Sequence, residues 1–310
     1  MNRTYLNRTH RIYLQWSALG LWGVLLPCPA DITLDGTMGP GGALSGPDFQ
    51  IGAELGRQVG SNLFHSFGVF NINSPESATF SGPDAIDNIL GRVTGGSAST
   101  IDGLLRSTIS EANLFFLNPA GVVFGPNASL DVQGAFHAST ADLIRLEDGV
   151  QFTATPSAQD PLLTTAPPEA FGFLGDNPAA INVIRSDLEV PAGERLSLVG
   201  GNVFVTSGRL AAPSGRIDLV SVASAGEVAT NAIPDVQSFD RLGQIEITQI
   251  PVPGAPGSSV EVRGEGGQGI FIRGGIFTLA GGSRVSSTTD DSSVRPGAPI
   301  SIQAEDVTLD

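Results

Sequence analysis

The chain has 310 residues, of which 40 are glycine and 21 proline, and it carries a net charge of −15. Only 15% of its residues are charged, which excludes a charge-rich disordered chain, and the acidic balance argues against a nucleic-acid or anionic-membrane partner. After residue 30 the imbalance grows, because 13 arginines face 31 acidic residues for a net charge of −18.

Residues 1–30 differ from the rest of the chain. An acid-free start with three arginines precedes an uncharged, mostly apolar run that ends in Cys-Pro-Ala. This order is typical of a signal peptide for the Sec machinery, and we expect cleavage after Ala30. A retained membrane anchor is the alternative, although the apolar run is shorter than the ~20 residues that span a bilayer. The proline before Cys28 disfavours lipoprotein processing.

The predicted mature chain has no thiol, since Cys28 is the only cysteine. It therefore has no means of forming an internal disulfide. A chain that stays unfolded while it crosses an oxidising compartment benefits from lacking thiols. Chance composition explains the same absence.

The remaining sequence indicates an all-β fold. Short runs of Val, Ile, Leu and Phe alternate with Gly, Asn, Asp, Ser and Pro. Residues 82–93 and 139–148 fit a short helix as well as a strand followed by a corner. Near the C-terminus the apolar positions of 269–282 recur after 30 residues: Ile270 matches Ile300, Ile272 matches Ile302, Phe277 matches Val307 and Leu279 matches Leu309.

The recurrence of apolar positions in register favours a parallel β-helix over a β-sandwich. A parallel β-helix stacks the inward residues of each coil on those of the next, whereas a β-sandwich does not predict this recurrence. We therefore predict a right-handed parallel β-helix, a single-stranded solenoid with roughly 20–30 residues per coil. The pattern runs without a polar cap up to residue 310, so we expect a longer rod to follow.

Candidate catalytic and metal-binding residues are few. His65 and His137 are isolated among apolar and small residues, and no cluster has zinc-ligand spacing. The GEGGQG segment at 264–269 matches a dinucleotide fingerprint, but it lies between two strand patterns and is interpreted as a glycine-rich corner. Asp290-Asp291 suits an enzyme acting on polysaccharide, or more simply a solvated loop. We predict no catalytic residue, metal or cofactor.

Four stretches, taken in order, resemble one family. They are residues 60–72, 92–106, 112–146 and 171–183. They are similar to the filamentous-haemagglutinin-type secretion domain, also called the haemagglutination activity domain, of two-partner secretion exoproteins. The resemblance divides the chain into a signal peptide at 1–30, a secretion domain at 31–185 and further β-helix coils at 186–310.

The resemblance implies an export route. Domains of this family cross the inner membrane, bind the periplasmic domains of a dedicated outer-membrane β-barrel transporter, and fold as a right-handed β-helix at the cell surface. The family signature N-P-N-G-I maps onto Asn118, Pro119, Ala120, Gly121 and Val122. Position 120 departs from the signature, because alanine replaces the second asparagine.

The same segment has a purely structural interpretation. Asn118-Pro119-Ala120-Gly121 suits a type I β-turn, in which the first side chain folds over the backbone and proline presets φ. From the turn alone, Asn118→Ala should cost on the order of 1 kcal/mol. We interpret the segment as both a turn and an export signal.

The sequence therefore predicts a secreted, non-enzymatic, monomeric exoprotein. It would reach the medium or the cell surface of a Gram-negative-type bacterium through the periplasm, and adhesion is among the roles that the family suggests. Two alternatives stay open: a β-helix enzyme acting on polysaccharide, which would need acids grouped in a cleft, and a structural surface-layer component.

Overall fold

The computed structural model describes residues 31–155, 162–289 and 297–310. The predicted signal peptide, its cleavage site at Ala30 and the Asp290-Asp291 pair lie outside these ranges. Within them the regular structure is β, apart from one 3₁₀ turn at Ala53–Leu55. No helix in the described ranges is long and apolar enough to cross a membrane.

Three parallel sheets form the faces of a rod. Sheet 1 consists of β5 (Asn62–Phe70), β7 (Asn88–Val93), β10 (Asn113–Leu117), β13 (Phe136–Ser139), β19 (Arg195–Gly200), β22 (Arg216–Ser221), β26 (Gly269–Arg273) and β29 (Ile300–Gln303). Sheet 2 consists of β8 (Ser99–Ile101), β11 (Val122–Phe124), β17 (Ile181–Ile184), β20 (Val203–Thr206), β24 (Gln244–Thr248), β27 (Ile276–Leu279) and β30 (Asp306–Leu309). Sheet 3 consists of β3 (Asp48–Gly52), β6 (Ser77–Ser81), β9 (Leu104–Ser107), β12 (Ser129–Asp131), β18 (Asp187–Glu189), β21 (Arg209–Ala211), β25 (Ser259–Arg263) and β28 (Arg284–Thr288).

Antiparallel strands complete the described structure. At the N-terminal end, β1 (Ile32–Asp35) pairs with β2 (Gly41–Ala43) and with β5, which also pairs with β4 (Arg57–Val59). A fourth sheet lies outside the coils and is formed by two excursions of the chain. It consists of β14 (Leu143–Leu146), β15 (Gln151–Thr153), β16 (Pro168–Phe173) and β23 (Gly226–Ala229).

The register confirms the predicted parallel β-helix. Each pair in the 30-residue repeat is a hydrogen-bonded neighbour in adjacent coils: Ile270 with Ile300, Ile272 with Ile302, Phe277 with Val307 and Leu279 with Leu309. The helical alternative is wrong for both ambiguous segments, since they contain β7 and β14 instead. Stacking between coils decides that these segments are strands and not helices, because their apolar residues lie on both faces of the strand.

The interior of the rod is a continuous apolar column. One inward row of sheet 1 runs through successive coils and is fully buried: Leu63, Ile89, Leu114, Phe136, Leu196, Ile217 and Ile270. Burying each such side chain contributes about 1.5–3 kcal/mol before entropy is counted. Stacking of like residues is therefore the main source of stability in the rod.

A second core lies between the outer face of sheet 1 and the fourth sheet. Outward residues of the rod such as Phe64, Phe115 and Val220 pack with residues of the excursions such as Phe152 and Phe171. Sheet 1 is thus covered on both faces, which explains why its strands read as continuous apolar runs and not as alternating ones.

The GEGGQG segment is a corner between β25 and β26, as interpreted from the sequence. Three of its glycines, Gly264, Gly266 and Gly269, have φ of +112°, +74° and +116°. L side chains rarely adopt such backbone angles, so the glycines serve the change of direction between two strands.

Candidate recognition corner

Residues 118–122 form the corner that joins β10 of sheet 1 to β11 of sheet 2. The Gly121 N–H donates to the Asn118 carbonyl at 3.0 Å and closes the β-turn. Gly121 has φ of +117°, a conformation that glycine adopts without strain. The segment therefore forms the turn that its residues favour.

The Asn118 side chain binds this turn to the preceding coil. Its Oδ1 accepts from the Ala120 N–H at 2.9 Å, while Nδ2 donates to the Ser97 carbonyl at 3.0 Å and to Ser99 Oγ at 2.9 Å. The residue is fully buried. In the folded protein both polar atoms of this side chain form hydrogen bonds within the chain, and the buried side chain is not available to another molecule.

A second Asn-Pro-Ala stretch lies beside this turn in the next coil, but it does not form the same turn, because Asn177 is exposed with φ of +54° and no hydrogen bond closes residues 177–180. Val122 pairs with Ile181, so Asn177-Pro178-Ala179-Ala180 occupies the position of Asn118-Pro119-Ala120-Gly121 in the next coil. The shared Asn-Pro-Ala before a strand is a signal of this second copy that the sequence itself contains. Alanine occupies the third position in both stretches.

The coil that follows approaches the second Asn-Pro-Ala stretch closely. Gly201 donates its N–H to the Ala179 carbonyl at 3.0 Å. A Cβ atom at position 201 would lie 2.0 Å from the Pro178 carbonyl oxygen. Only glycine permits so close an approach, and the corner is therefore tightly stacked across successive coils.

A groove of about 290 Å³ opens beside the two Asn-Pro-Ala stretches. Pro119 and Pro178 line it together with Thr140, Asp142 and Asp176. Asp142 accepts the Leu174 N–H at 2.7 Å, and Asp176 is an exposed acid that pairs with Arg241 at 2.8 Å. Solvent reaches the half-buried prolines and alanines of the two stretches, the exposed Asn177 and the acids of this groove.

Both histidines of the described chain are buried. His65 points into the rod beside Phe67 and Phe80, and burial lowers its pKa to about 4. His137 lies on the outer face of sheet 1, where burial and the nearby arginines Arg195 and Arg216 lower its pKa to about 3. Both imidazoles are therefore neutral at physiological pH, and neither lies at the corner.

The stacked coils define a parallel β-helix. A family model described as "TPS secretion domain" matches residues 30–249, more than two thirds of the chain, and the chain belongs to this family of two-partner secretion domains. The chain is also similar to the heme/hemopexin-binding protein of Haemophilus influenzae, with 37% identity over 79 residues. That stretch is 26% of this chain and 8% of the relative.

These findings confirm the family resemblance seen in the sequence. Two-partner secretion domains belong to exoproteins that Gram-negative bacteria secrete with the help of a partner outer-membrane transporter. The structure shows how the corner residues at 118–122 are held.

Proposed function

We propose that this chain directs export of an exoprotein through a dedicated outer-membrane transporter, whose periplasmic domains recognise the turn at 118–122. The observation that carries the proposal is the turn at 118–121, which is closed by hydrogen bonds among its own residues. Family membership supports the export route.

We further propose that recognition precedes folding. The turn needs only its own residues, because the bonds from Ala120 and Gly121 to Asn118 span two and three residues. Before the coils stack, the Asn118 amide has free N–H groups, and after stacking they donate to Ser97 and Ser99. One side chain cannot serve both partners, so folding would release the transporter.

We also propose a route and a final location for the exoprotein. Residues 1–30 would engage the Sec machinery and be removed after Ala30. Residues 31–185 would carry the export function, and residues 186–310 would extend the rod. We propose a non-enzymatic monomer in the medium or at the cell surface, with adhesion as its activity.

A comparison of two asparagine variants tests the export role of the turn. Asn118→Ala leaves the buried Ser99 hydroxyl without this partner, together with the half-buried Ala120 N–H and the carbonyl of the exposed Ser97, and should cost about 2–3 kcal/mol, more than the turn alone suggests. Asn88→Ala removes a buried amide of similar bonding in β7, away from the corner, and is the matched control. The secreted amount and the free energy of unfolding are measured for both.

We expect Asn118→Ala to abolish most secretion while Asn88→Ala keeps most of it at a similar loss of stability. Equal secretion of the two variants would contradict the proposal and leave the turn with a structural role only.

A further inference from the structure

A segment of the second excursion crosses the outer face of sheet 1. We call this segment, residues 230–234, the strap; it follows β23, and three neighbouring strands of sheet 1, β19, β22 and β26, each provide one arginine to it. Arg195 donates to the Thr230 carbonyl, Arg216 to the Ala232 carbonyl at 2.8 Å, and Arg273 to the Pro234 carbonyl at 3.1 Å. The strap therefore contacts three successive coils of the rod.

The arginines that hold the strap are buried around a single buried carboxylate. Arg216 and Arg273 are 5% and 6% exposed, and Arg195 is half-buried. Asp218, which is 2% exposed, accepts from Arg216 Nε at 2.7 Å and lies 3.7 Å from Arg195 Nε. All three guanidinium groups act on this carboxylate. Because a buried charged donor without an acceptor is costly, the strap carbonyls supply hydrogen bonds that the arginines need.

Phe271 of β26 couples two of these arginines to the stacking of the coils. Its ring lies between the guanidinium groups of Arg216 in β22 and Arg273 in β26, whose central carbons are 4.5 and 5.5 Å from the ring centroid. The attraction between a guanidinium group and a ring face favours this arrangement. The orientation of Arg216 towards the strap therefore depends on β26 being stacked on β22.

Apolar contacts hold both ends of the strap. Val228 before it and Val236 after it are buried in the second core, which also contains Val199 of β19 and Val220 of β22. Closing the strap thus removes apolar surface of sheet 1 from water, in addition to forming the three arginine hydrogen bonds.

We infer that the strap is a latch, which closes when β19, β22 and β26 are stacked and then keeps these coils from separating one at a time. The coils of a solenoid contact mainly their neighbours, so single coils can open locally. The strap links β19 to β26 across the intervening β22 and joins the three coils into one cooperative unit. Arg273 lies beyond residue 249, where the family match ends, so this unit extends past the matched region. The latch does not depend on the export role proposed above.

Hydrogen exchange of the folded chain tests this inference. Arg195→Met and Arg273→Met keep much of the side-chain length and remove the guanidinium groups at the two ends of the strap. Arg284→Met, in β28 on sheet 3, is the control, because its guanidinium group donates to Ser259 and not to the strap. Exchange is followed in β23, which precedes the strap and pairs with β16 of the fourth sheet. Thermal unfolding shows that each variant folds.

We expect each strap variant to speed exchange of the β23 amides about 10–100-fold, as the loss of one hydrogen bond from a charged group predicts. The double variant should exceed the faster single variant by less than about threefold, because the loss of one arginine already opens the latch. Arg195→Met should also speed exchange in β26, although β22 lies between the two strands. Arg284→Met should leave exchange in both strands unchanged.

The inference is overturned if Arg273→Met leaves exchange in β23 unchanged, if the two effects multiply in the double variant, or if the control speeds exchange as much. If Arg273→Met does not fold, Arg195→Met decides by itself. Unchanged exchange in β26 then overturns the latch, and faster exchange supports it.

Discussion

At the scale of single residues, the buried imidazoles make stability depend on pH. The pKa of His65 falls to about 4 and that of His137 to about 3, against 6.5 for a free histidine. The unfolded chain therefore binds more protons than the folded chain below pH 6.5. Stability is full above that value and decreases as the pH falls towards 4.

We predict that each histidine removes about 1.4 kcal/mol of unfolding free energy per pH unit below pH 6.5. The window from pH 6.5 to 5 is diagnostic, because most carboxylates titrate below it. Urea unfolding at several pH values measures the slope. His137→Phe should halve it, and a slope unchanged by this variant would show that His137 is already protonated in the folded chain.

Asn118 shows what the sequence alone can reveal at this scale. The turn was predictable from Asn, Pro and Gly, because the relevant interactions lie within four residues. The bonds to Ser97 and Ser99 were not predictable, since they depend on which coil lies beneath the turn. Because of these bonds, the Asn118 side chain forms a buried contact between coils as well as capping its own β-turn.

At the scale of elements, an asparagine ladder links the first coils of sheet 1. Asn88 donates to Asn62 Oδ1 at 3.0 Å and accepts from Asn113 Nδ2 at 3.2 Å. The ends are satisfied too, because Asn62 donates to the Ala166 carbonyl at 2.7 Å and Asn113 accepts the Ala135 N–H at 3.0 Å. The ladder thereby connects the rod to the first excursion.

We predict that Asn88→Ala lowers the free energy of unfolding by about 2–3 kcal/mol, because it removes the amide partner of the buried Asn62 and of the half-buried Asn113. Thr79→Ala, in β6 on sheet 3, is the control and should change stability by less than about 0.5 kcal/mol. Denaturant unfolding of the two variants makes the comparison. Equal effects would show that the ladder adds nothing to stability.

The fourth sheet could not be predicted from the sequence. Strands such as NLFFL at 113–117 are apolar on both faces, which indicates that both faces are covered. The pattern does not identify the element that covers the outer face. The covering strands come from two excursions, β14–β16 and β23, and β23 begins 53 residues after β16 ends (226 − 173). Their antiparallel pairing has no counterpart in the coil repeat.

At the scale of the whole molecule, the 30-residue repeat was sufficient to predict the β-helix. Inward positions must match from coil to coil, so the stacking leaves a visible pattern. The repeat also predicted Phe271 beside Ser301, and the two are paired in register. However, Phe271 is buried between Arg216 and Arg273, with centroid distances of 4.5 and 5.5 Å to the guanidinium carbons.

The outward pair Thr278 and Thr308 is therefore the better site for a cross-link between coils. Parallel neighbours have Cα atoms about 4.8 Å apart, which a disulfide accepts. We predict that Thr278→Cys/Thr308→Cys forms an internal disulfide after oxidation of the folded chain. If the bond forms before export, it closes a ~30-residue loop and should block secretion until reductant is added. Equal secretion with and without reductant would show that transport tolerates such loops.

The central claim is that the transporter reads the corner before the coils stack. Binding of the transporter's isolated periplasmic domains to this chain, before and after folding, tests it most directly. Val123→Cys/Asn182→Cys, an outward pair that joins β11 to β17, locks the two Asn-Pro-Ala coils together once oxidised. We predict that the chain freshly diluted from denaturant binds and that the folded, cross-linked chain does not. Equal binding of the folded, cross-linked chain and the unfolded chain would contradict the claim.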